Sequence, residues 1–133
     1  NIMSTRALIH VYEDEKDETP ITTIYKHFDG YPTKHGVGEI LADYVMDSYI
    51  TEGIPADVNT TMDIKHNGMG CFAAGLIKHL KEDIGDVYIV KPGTKDMWEQ
   101  YVYTIAPSKS IKSKLSLVVE DKSKRKQETL VAG

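Results

Sequence analysis

The residues of this chain that are best suited to chemistry lie in its first two predicted strands. Apolar and polar side chains alternate in both strands, and inward packing of the apolar set would collect Arg6, His10, Tyr12, Tyr25, His27 and Asp29 on the opposite face. The planar guanidinium of Arg6 is suited to a carboxylate or a phosphate, because its fork binds two oxygens at once. The pattern predicts an anion-binding face that includes Arg6, His27 and Asp29. An Arg6–Asp29 ion pair across the hairpin is the alternative.

Arginine usage distinguishes Arg6 further. The chain contains only two arginines, and the second, Arg125, lies in a lysine-rich C-terminal segment. Arg6 is therefore the only arginine within the predicted fold, and we expect an anionic ligand on this face to pair with it.

Histidine and aspartate on one strand face also raise the question of catalysis. His27, Asp29 and the nearby His10 are of the types that bind a divalent metal or exchange protons. The sequence contains no H-E-x-x-H motif, no cysteine pair and no second acidic ligand beside them. We therefore assign no catalytic residue, no metal ligand and no cofactor, and hydrogen-bonded histidines are the alternative explanation.

A second candidate anion site is the glycine-rich turn at 67–70. Asn67, Gly68 and Gly70 precede an amphipathic helical stripe that consists of Phe72, Ala73, Leu76, Ile77, Leu80 and Ile84. The first N–H groups of a helix have no partner within it, so they attract a phosphate. The stretch matches neither a P-loop nor a dinucleotide fingerprint. Glycines that permit a tight turn and close helix packing are the alternative.

Aromatic side chains supply a further binding element. Tyr31 follows a predicted turn, and Tyr101 belongs to a group with Tyr88, Trp98 and Tyr103. Bases stack on aromatic rings, so we expect Tyr31 or Tyr101 to stack on a base. Packing in the core and between neighbouring strands is the alternative.

The elements that would position these residues are two strands, two helices and three strands, in that order. The strands are predicted at 6–12, 21–28, 86–91, 98–105 and 114–120, and the helices at 34–50 and 70–83, with an irregular stretch at 56–66. Segregated strands and helices predict an α+β fold, with an antiparallel sheet of about five strands and two helices packed on one face. Residues 3–121 form a single domain in this prediction, and 122–133 form a loose, polar tail.

The register of the first hairpin follows from the same alternation. A core demands that Ala7, Ile9 and Val11 lie beside Ile24 and Phe28. A slip of one residue would mix the apolar and polar faces, so the sequence predicts this pairing.

Size and composition bound the class of protein. The 133 residues carry a formal charge of −4, with 41% hydrophobic and 27% charged residues, which is typical of one globular domain. A dedicated nucleic-acid-binding protein would be basic, so that class is disfavoured. No apolar run approaches the ~20 residues of a membrane span, and no signal peptide precedes Met3, the expected native start. The single cysteine, Cys71, fits a reducing compartment, and we expect a cytoplasmic protein.

Five short segments carry a resemblance to a known family. They are 4–7 (STRA), 25–32 (YKHFDGYP), 67–71 (NGMGC), 93–96 (GTKD) and 99–103 (EQYVY). Together they resemble a widespread family of small uncharacterised proteins from phages, prophages and bacteria, over roughly residues 3–106. The resemblance implies a mobile-element setting, in which small proteins often antagonise host defence, and it implies no catalytic residue.

Three functions are compatible with these patterns. We favour a non-enzymatic binding protein that sequesters a small anionic, nucleotide-like ligand and so antagonises host defence, with Arg6 and the turn at 67–70 holding the anion. The first alternative is an inhibitor of a host defence protein or a structural homo-oligomer, with the hairpin face as the contact and a homodimer as the expected assembly. The second is a metal- or histidine-dependent phosphodiesterase, or another hydrolase, that uses His10, His27 and Asp29.

Overall fold

The computed structural model describes residues 4–53 and 64–132, and these form an α+β fold of eight strands and two helices. The elements are, in chain order, β1 (Ala7–Val11), β2 (Thr22–Lys26), α1 (Val37–Asp47), β3 (Ser48–Thr51), β4 (Ile64–Asn67), α2 (Gly68–Leu80), β5 (Val87–Val90), β6 (Tyr101–Pro107), β7 (Leu115–Asp121) and β8 (Lys126–Val131). Six strands form the main sheet in the order β5-β2-β1-β6-β7-β8, and β3 and β4 form a separate parallel pair. The predicted fold class is confirmed.

The main sheet is antiparallel except between β1 and β6, which run parallel. β5 lies on one side of the β2–β1 pair and β6 on the other, so residues 91–100, here called the crossover segment, must cross the face of these two strands. The Gly93 N–H donates to Thr23 Oγ1 over 2.9 Å and holds the segment against this face. Alternation in a sequence reveals which side chains share a face but not which strands are neighbours, so the crossover could not be predicted.

The predicted register of the first hairpin is confirmed at its centre, where Ile9 lies opposite Ile24. Both side chains are fully buried in one core with Leu41 of α1 and Phe72 of α2, so the two helices cover this face of the sheet. The prediction is wrong for Phe28, which is 45% exposed. β2 has already ended at Lys26, and the alternation of the strand therefore does not extend to Phe28.

Both predicted helices occur, with shifted ends. α1 is shorter than the predicted 34–50, because the Ser48 hydroxyl donates to the Tyr44 carbonyl and the chain then continues as β3. α2 begins at Gly68 and ends at Leu80, and Phe72, Leu76 and Leu80 of its apolar stripe are buried as predicted, whereas Ile84 lies beyond the helix and is 95% exposed, so the prediction is wrong for Ile84. Part of the predicted irregular stretch lies outside the described residues, and its last residues belong to β4. No helix of the described residues is long and apolar enough to cross a membrane.

The segment that was predicted as a loose tail contains β8, so that prediction is wrong. β8 pairs with β7 in antiparallel fashion, and its last residue, Val131, belongs to the hydrophobic core. The strand is polar along most of its length because it is an edge strand whose side chains are mainly exposed. Such a strand lacks the apolar alternation from which strands are recognised in a sequence.

Tyr103 connects β6 to the turn that leads into α1. Its side chain is fully buried, and its hydroxyl donates to the Gly30 carbonyl over 2.7 Å. We expect Tyr103→Phe to lower the free energy of unfolding by about 1–3 kcal/mol, because the buried carbonyl of Gly30 loses its donor. Urea unfolding at neutral pH measures this change. An unchanged midpoint with an unchanged slope would show that the hydroxyl does not stabilise the turn.

Candidate ligand-binding site

A pocket opens on the face of the main sheet opposite the helices, where the crossover segment passes β5. Its volume is ≈ 640 Å³, and the residues lining it include Arg6, Tyr25, His27, Tyr88, Asp96, Met97 and Trp98. Tyr25 of β2 and His27, which follows the strand, both line the pocket, with their ring centroids 5.8 Å apart. Tyr88 lies opposite Tyr25 on β5, with the ring centroids 6.0 Å apart. The predicted grouping of Arg6, Tyr25 and His27 therefore occurs at this pocket.

Arg6 lines the pocket without a protein partner for its side-chain Nε. The Arg6 Nε is buried and makes no hydrogen bond with any described residue. The ion pairs of the described residues join Lys26 to Asp86, Lys109 to Glu15 and Lys122 to Glu99. The alternative prediction, an Arg6–Asp29 ion pair, is therefore wrong.

The backbone of Arg6 is fixed even though its side chain is unpaired. The Arg6 carbonyl accepts the Gln100 N–H over 3.0 Å and the Tyr101 N–H over 3.3 Å, at the junction of the crossover segment and β6. Its positive charge also acts on a neighbouring hydroxyl. Burial raises the pKa of Tyr25, and the charge of Arg6 opposes that rise. The hydrogen bonds to the Arg6 carbonyl thus fix the main chain from which the Arg6 side chain reaches the pocket.

His27 forms a polar wall of the pocket. Its Nδ1 lies 2.8 Å from the Tyr25 hydroxyl, and its Nε2 lies 3.3 Å from the Ser4 hydroxyl. Both ring nitrogens therefore have a hydroxyl as a hydrogen-bonding neighbour. The described residues contain no group of three or more His, Cys, Asp and Glu side chains that could hold a metal.

His10 shares the same sheet face but does not reach the pocket. Its Nδ1 lies 2.8 Å from Thr23 Oγ1, and the imidazole is buried. Burial lowers the pKa of His10, while Glu99 acts in the opposite direction and Lys95 adds to the lowering. His10 is therefore a neutral, hydrogen-bonded part of the interior at neutral pH, in agreement with the alternative explanation given above for the histidines.

Two aromatic rings stand at the open side of the pocket. Trp98 is 87% exposed and Tyr88 is 49% exposed, so both offer ring faces to a ligand. The backbone of Trp98 has φ 62, a left-handed conformation that is uncommon for a large side chain. Because the ring is exposed, packing of the side chain does not stabilise this backbone conformation, and the contacts of the neighbouring residues must stabilise it.

Glu99 supplies that support from inside the crossover segment. Its side chain is only 2% exposed; Oε1 accepts the Met97 N–H over 2.7 Å and Oε2 accepts the Lys122 ammonium over 2.8 Å. Burial acts to raise the pKa of Glu99, but the hydrogen bonds, chiefly that from Lys122, hold it below its ordinary value. The buried carboxylate therefore fixes the residues on both sides of Trp98, in a loop anchored to the turn between β7 and β8.

Other predicted site residues lie away from the pocket. Asp29 has φ 56, its carbonyl accepts the Val37 N–H, and its carboxylate accepts the Tyr31 hydroxyl over 3.4 Å. Asp29 and Tyr31 thus belong to the turn before α1. Tyr101 pairs with Ala7 and packs against the core on the helix side of the sheet.

The glycine-rich turn at 67–70 lies in the helix layer. Asn67 Oδ1 accepts the Gly53 N–H over 2.8 Å, and the Asn67 side chain makes no capping hydrogen bond to α2. Gly68 has φ 81, and Gly70 has open space around it. Arg6 lies on the opposite side of the main sheet, so the structure does not bring the two predicted anion sites together.

The crossover residues Asp96 and Met97 were missed by the sequence reasoning, and Trp98 was predicted as the start of a strand. The preceding Pro92-Gly93 pair is typical of a turn. If the strand had been predicted to begin after Trp98, this residue would have been assigned to the connecting loop. Comparisons with protein-family models, with curated proteins and with solved structures returned no match for this chain. Functional inference therefore rests on the geometry of the pocket.

Proposed function

We propose that this protein binds a small anionic ligand that carries a flat ring, such as a nucleotide, in the pocket between the main sheet and the crossover segment. The observation that carries the proposal is Arg6, which lines the pocket and whose buried Nε makes no hydrogen bond with the described residues. A buried donor without an acceptor destabilises a protein by about 1–3 kcal/mol. A phosphate or carboxylate placed against the guanidinium would remove that cost and form bidentate hydrogen bonds.

The aromatic rings favour a ligand with a ring over a simple inorganic anion. Trp98 and Tyr88 border the same pocket as Arg6 and are both substantially exposed. Stacking of a base on an aromatic side chain contributes about 1–3 kcal/mol. An anion and a ring on one ligand would therefore satisfy both ends of the pocket at once.

Binding without conversion is the form of activity that these residues support. A hydrolase would need a nucleophile activated by an oriented base; the Ser4 hydroxyl lies 3.3 Å from His27 Nε2, but the Nδ1 of that ring lies beside the Tyr25 hydroxyl and not beside a carboxylate that would orient it. His10 is buried beneath the crossover segment, and the Asp29 carboxylate accepts from Tyr31. We propose sequestration of the ligand, and antagonism of a host defence signal as its biological role. A ligand recovered chemically altered after long incubation would instead favour the hydrolase.

Trp98 is the only tryptophan of the chain, so its fluorescence reports directly on the pocket. We expect nucleoside monophosphates and cyclic mononucleotides to quench this emission saturably, because the base stacks on the indole. Free N-acetyltryptophanamide, titrated identically, corrects for absorption by the nucleotide. If no nucleotide quenches Trp98 or raises the melting temperature, the proposal fails.

Removal of the indole tests its contribution to affinity. We expect Trp98→Ala to weaken nucleotide binding, measured by calorimetry, by about 5- to 150-fold, which corresponds to about 1–3 kcal/mol of lost stacking. The free energy of unfolding should change by no more than about 0.5 kcal/mol, because the side chain is 87% exposed. Tyr49→Ala, which removes a partly exposed ring from β3, is the matched control and should bind normally. Equal losses in both variants would contradict a specific role for Trp98.

Self-association through β5 is a second candidate function, and the exposed apolar residues at this edge of the sheet favour it. Ile84 is 95% exposed and Ile89 is 66% exposed, beside an edge strand. The Lys81 ammonium donates to the Val87 carbonyl and so occupies part of the edge, a device that limits strand pairing. Light scattering of the wild type and of Ile89→Lys distinguishes a monomer from a homodimer that forms at this edge. A wild type that is already a monomer, like Ile89→Lys, would count against the homodimer.

A further inference from the structure

We infer that the pocket selects ligands with one anionic group, so that a nucleoside monophosphate or a cyclic mononucleotide binds more tightly than the triphosphate of the same nucleoside. This inference rests on the proposed function and names the ligand class for the same site. It follows from the distribution of charge around the pocket.

The pocket offers one guanidinium and one carboxylate. Among the described residues that line it, Arg6 is the only cation, and Asp96 is the only anion. Asp96 is exposed and has φ 62, so the crossover segment presents its carboxylate at the rim in a left-handed conformation. One guanidinium fork pairs with the two oxygens of a single phosphate, and no second arginine is available in the pocket for another.

Two lysines near the pocket are already engaged, and Lys91 and Lys95, which are neighbours of its lining residues in the chain, do not line it. The Lys81 ammonium lies 5.7 Å from the centre of the Tyr88 ring, but it donates to the Gly85 and Val87 carbonyls. The Lys122 ammonium is bound to the buried carboxylate of Glu99. Among the lining residues, a second or third phosphate would therefore find no second lysine or arginine to receive it, and it would be repelled by Asp96.

The charge of the whole chain acts in the same direction. The formal charge of the chain is −4 at neutral pH, so the protein repels anions. This repulsion is stronger for a polyphosphate than for a monophosphate, because the polyphosphate carries more negative charge. Sites that bind triphosphates commonly combine a backbone cradle with a lysine and a bound Mg²⁺. The pocket resembles a site for one phosphate and a ring.

The test is a Trp98 fluorescence titration with adenosine, AMP, cyclic AMP and ATP, at low salt and with EDTA present to remove divalent cations. We expect AMP or cyclic AMP to bind at least about tenfold more tightly than ATP, and adenosine to bind more weakly than AMP because it lacks the anion. The same titration with the guanine series extends the comparison to a second base.

Asp96→Asn tests the origin of the selectivity. Asparagine tolerates the left-handed conformation, so the loop should keep its shape, and the advantage of AMP over ATP should shrink severalfold as the repulsion is lost. Asp43→Asn, on an exposed position of α1, is the matched control and should leave the ratio unchanged.

The possible outcomes separate this inference from the proposed function. Equal or tighter binding of ATP would overturn the inference and leave nucleotide binding intact. An AMP preference that is unchanged in Asp96→Asn would overturn the role of Asp96. Absence of binding by every nucleotide would overturn the proposed function together with the inference.

Discussion

Replacing Arg6 by methionine is expected to abolish nucleotide binding and, in the same variant, to raise the free energy of unfolding of the ligand-free protein. The Arg6 Nε is buried without a hydrogen-bond partner among the described residues, so its removal relieves a cost of about 1–3 kcal/mol. Methionine keeps an unbranched apolar stem of similar reach, so packing along the stem is largely retained. Loss of two charge-assisted hydrogen bonds should weaken binding by at least about 3 kcal/mol, or about a hundredfold in Kd.

The opposite signs of the two effects are what make this variant informative. Calorimetry with AMP measures the affinity, and urea unfolding without ligand measures the stability. Arg6→Lys, which keeps the charge but loses the planar fork, should bind with an intermediate affinity. Arg125→Met removes the other arginine of the chain, from the exposed turn between β7 and β8, and should bind normally. A destabilised Arg6→Met protein with undiminished affinity would show that Arg6 is structural.

Replacing Lys122 by methionine is expected to lower the free energy of unfolding by about 2–3 kcal/mol, less than the loss of about 3–5 kcal/mol for a fully buried ion pair, because the Lys122 side chain is 38% exposed. The substitution leaves the Glu99 carboxylate, only 2% exposed, without its cation, and a buried charge without its partner is strongly unfavourable. The crossover segment should loosen as well, because Glu99 also accepts the Met97 N–H next to Trp98. We therefore expect weaker nucleotide binding in Lys122→Met, although Lys122 does not line the pocket.

Two further variants identify the buried ion pair as the cause. Glu99→Gln combined with Lys122→Met removes both charges and should recover most of the lost stability, measured by urea unfolding. Lys109→Met breaks the exposed Lys109–Glu15 ion pair, at 3.4 Å, and should cost no more than about 1 kcal/mol. Similar losses in Lys109→Met and Lys122→Met would contradict the buried-pair explanation.

The same pair predicts a pH dependence. Because the folded protein holds the pKa of Glu99 below its ordinary value of about 4.3, the carboxylate contributes stability above that pH and loses it as the pH falls through the folded pKa. The stability of the wild type should therefore fall below about pH 4.3, and it should fall less steeply in Glu99→Gln. Asp86, whose pKa is also lowered, retains its own share of the acid dependence in that variant.

The strands whose side chains alternate could be predicted from the sequence. The strands that are recognised only by their pairing with another strand in space could not. Period-two alternation predicted that Ile9 and Ile24 lie side by side, because a slip of one residue would exchange the two faces of the strand. The β3–β4 pair was missed because each strand is only four residues long, too short to show a period.

The candidate site was only half predictable for the same reason. Arg6 and His27 were found because they lie next to strands. Trp98 was named among the aromatic residues but assigned to a strand, and Asp96 was missed, because a crossover between non-adjacent strands brings both to the pocket. Asn67 was grouped with Arg6 because both are suited to bind an anion. The main sheet is covered on both faces, and the alternation of its strands does not show which face α2 and the turn before it cover. The resemblance to a mobile-element family stays a prediction.

The most direct test of the central claim is the arginine Nε–Hε region of a ¹H–¹⁵N spectrum, recorded during titration with AMP. The chain has two arginines, so two signals are expected, and the signal of Arg6 is identified by its loss in Arg6→Met. Pairing of the phosphate with the guanidinium should shift the Arg6 signal saturably and leave the Arg125 signal in place. An unmoved Arg6 signal at saturating nucleotide, or equal shifts of both signals, would contradict binding of the anion by Arg6.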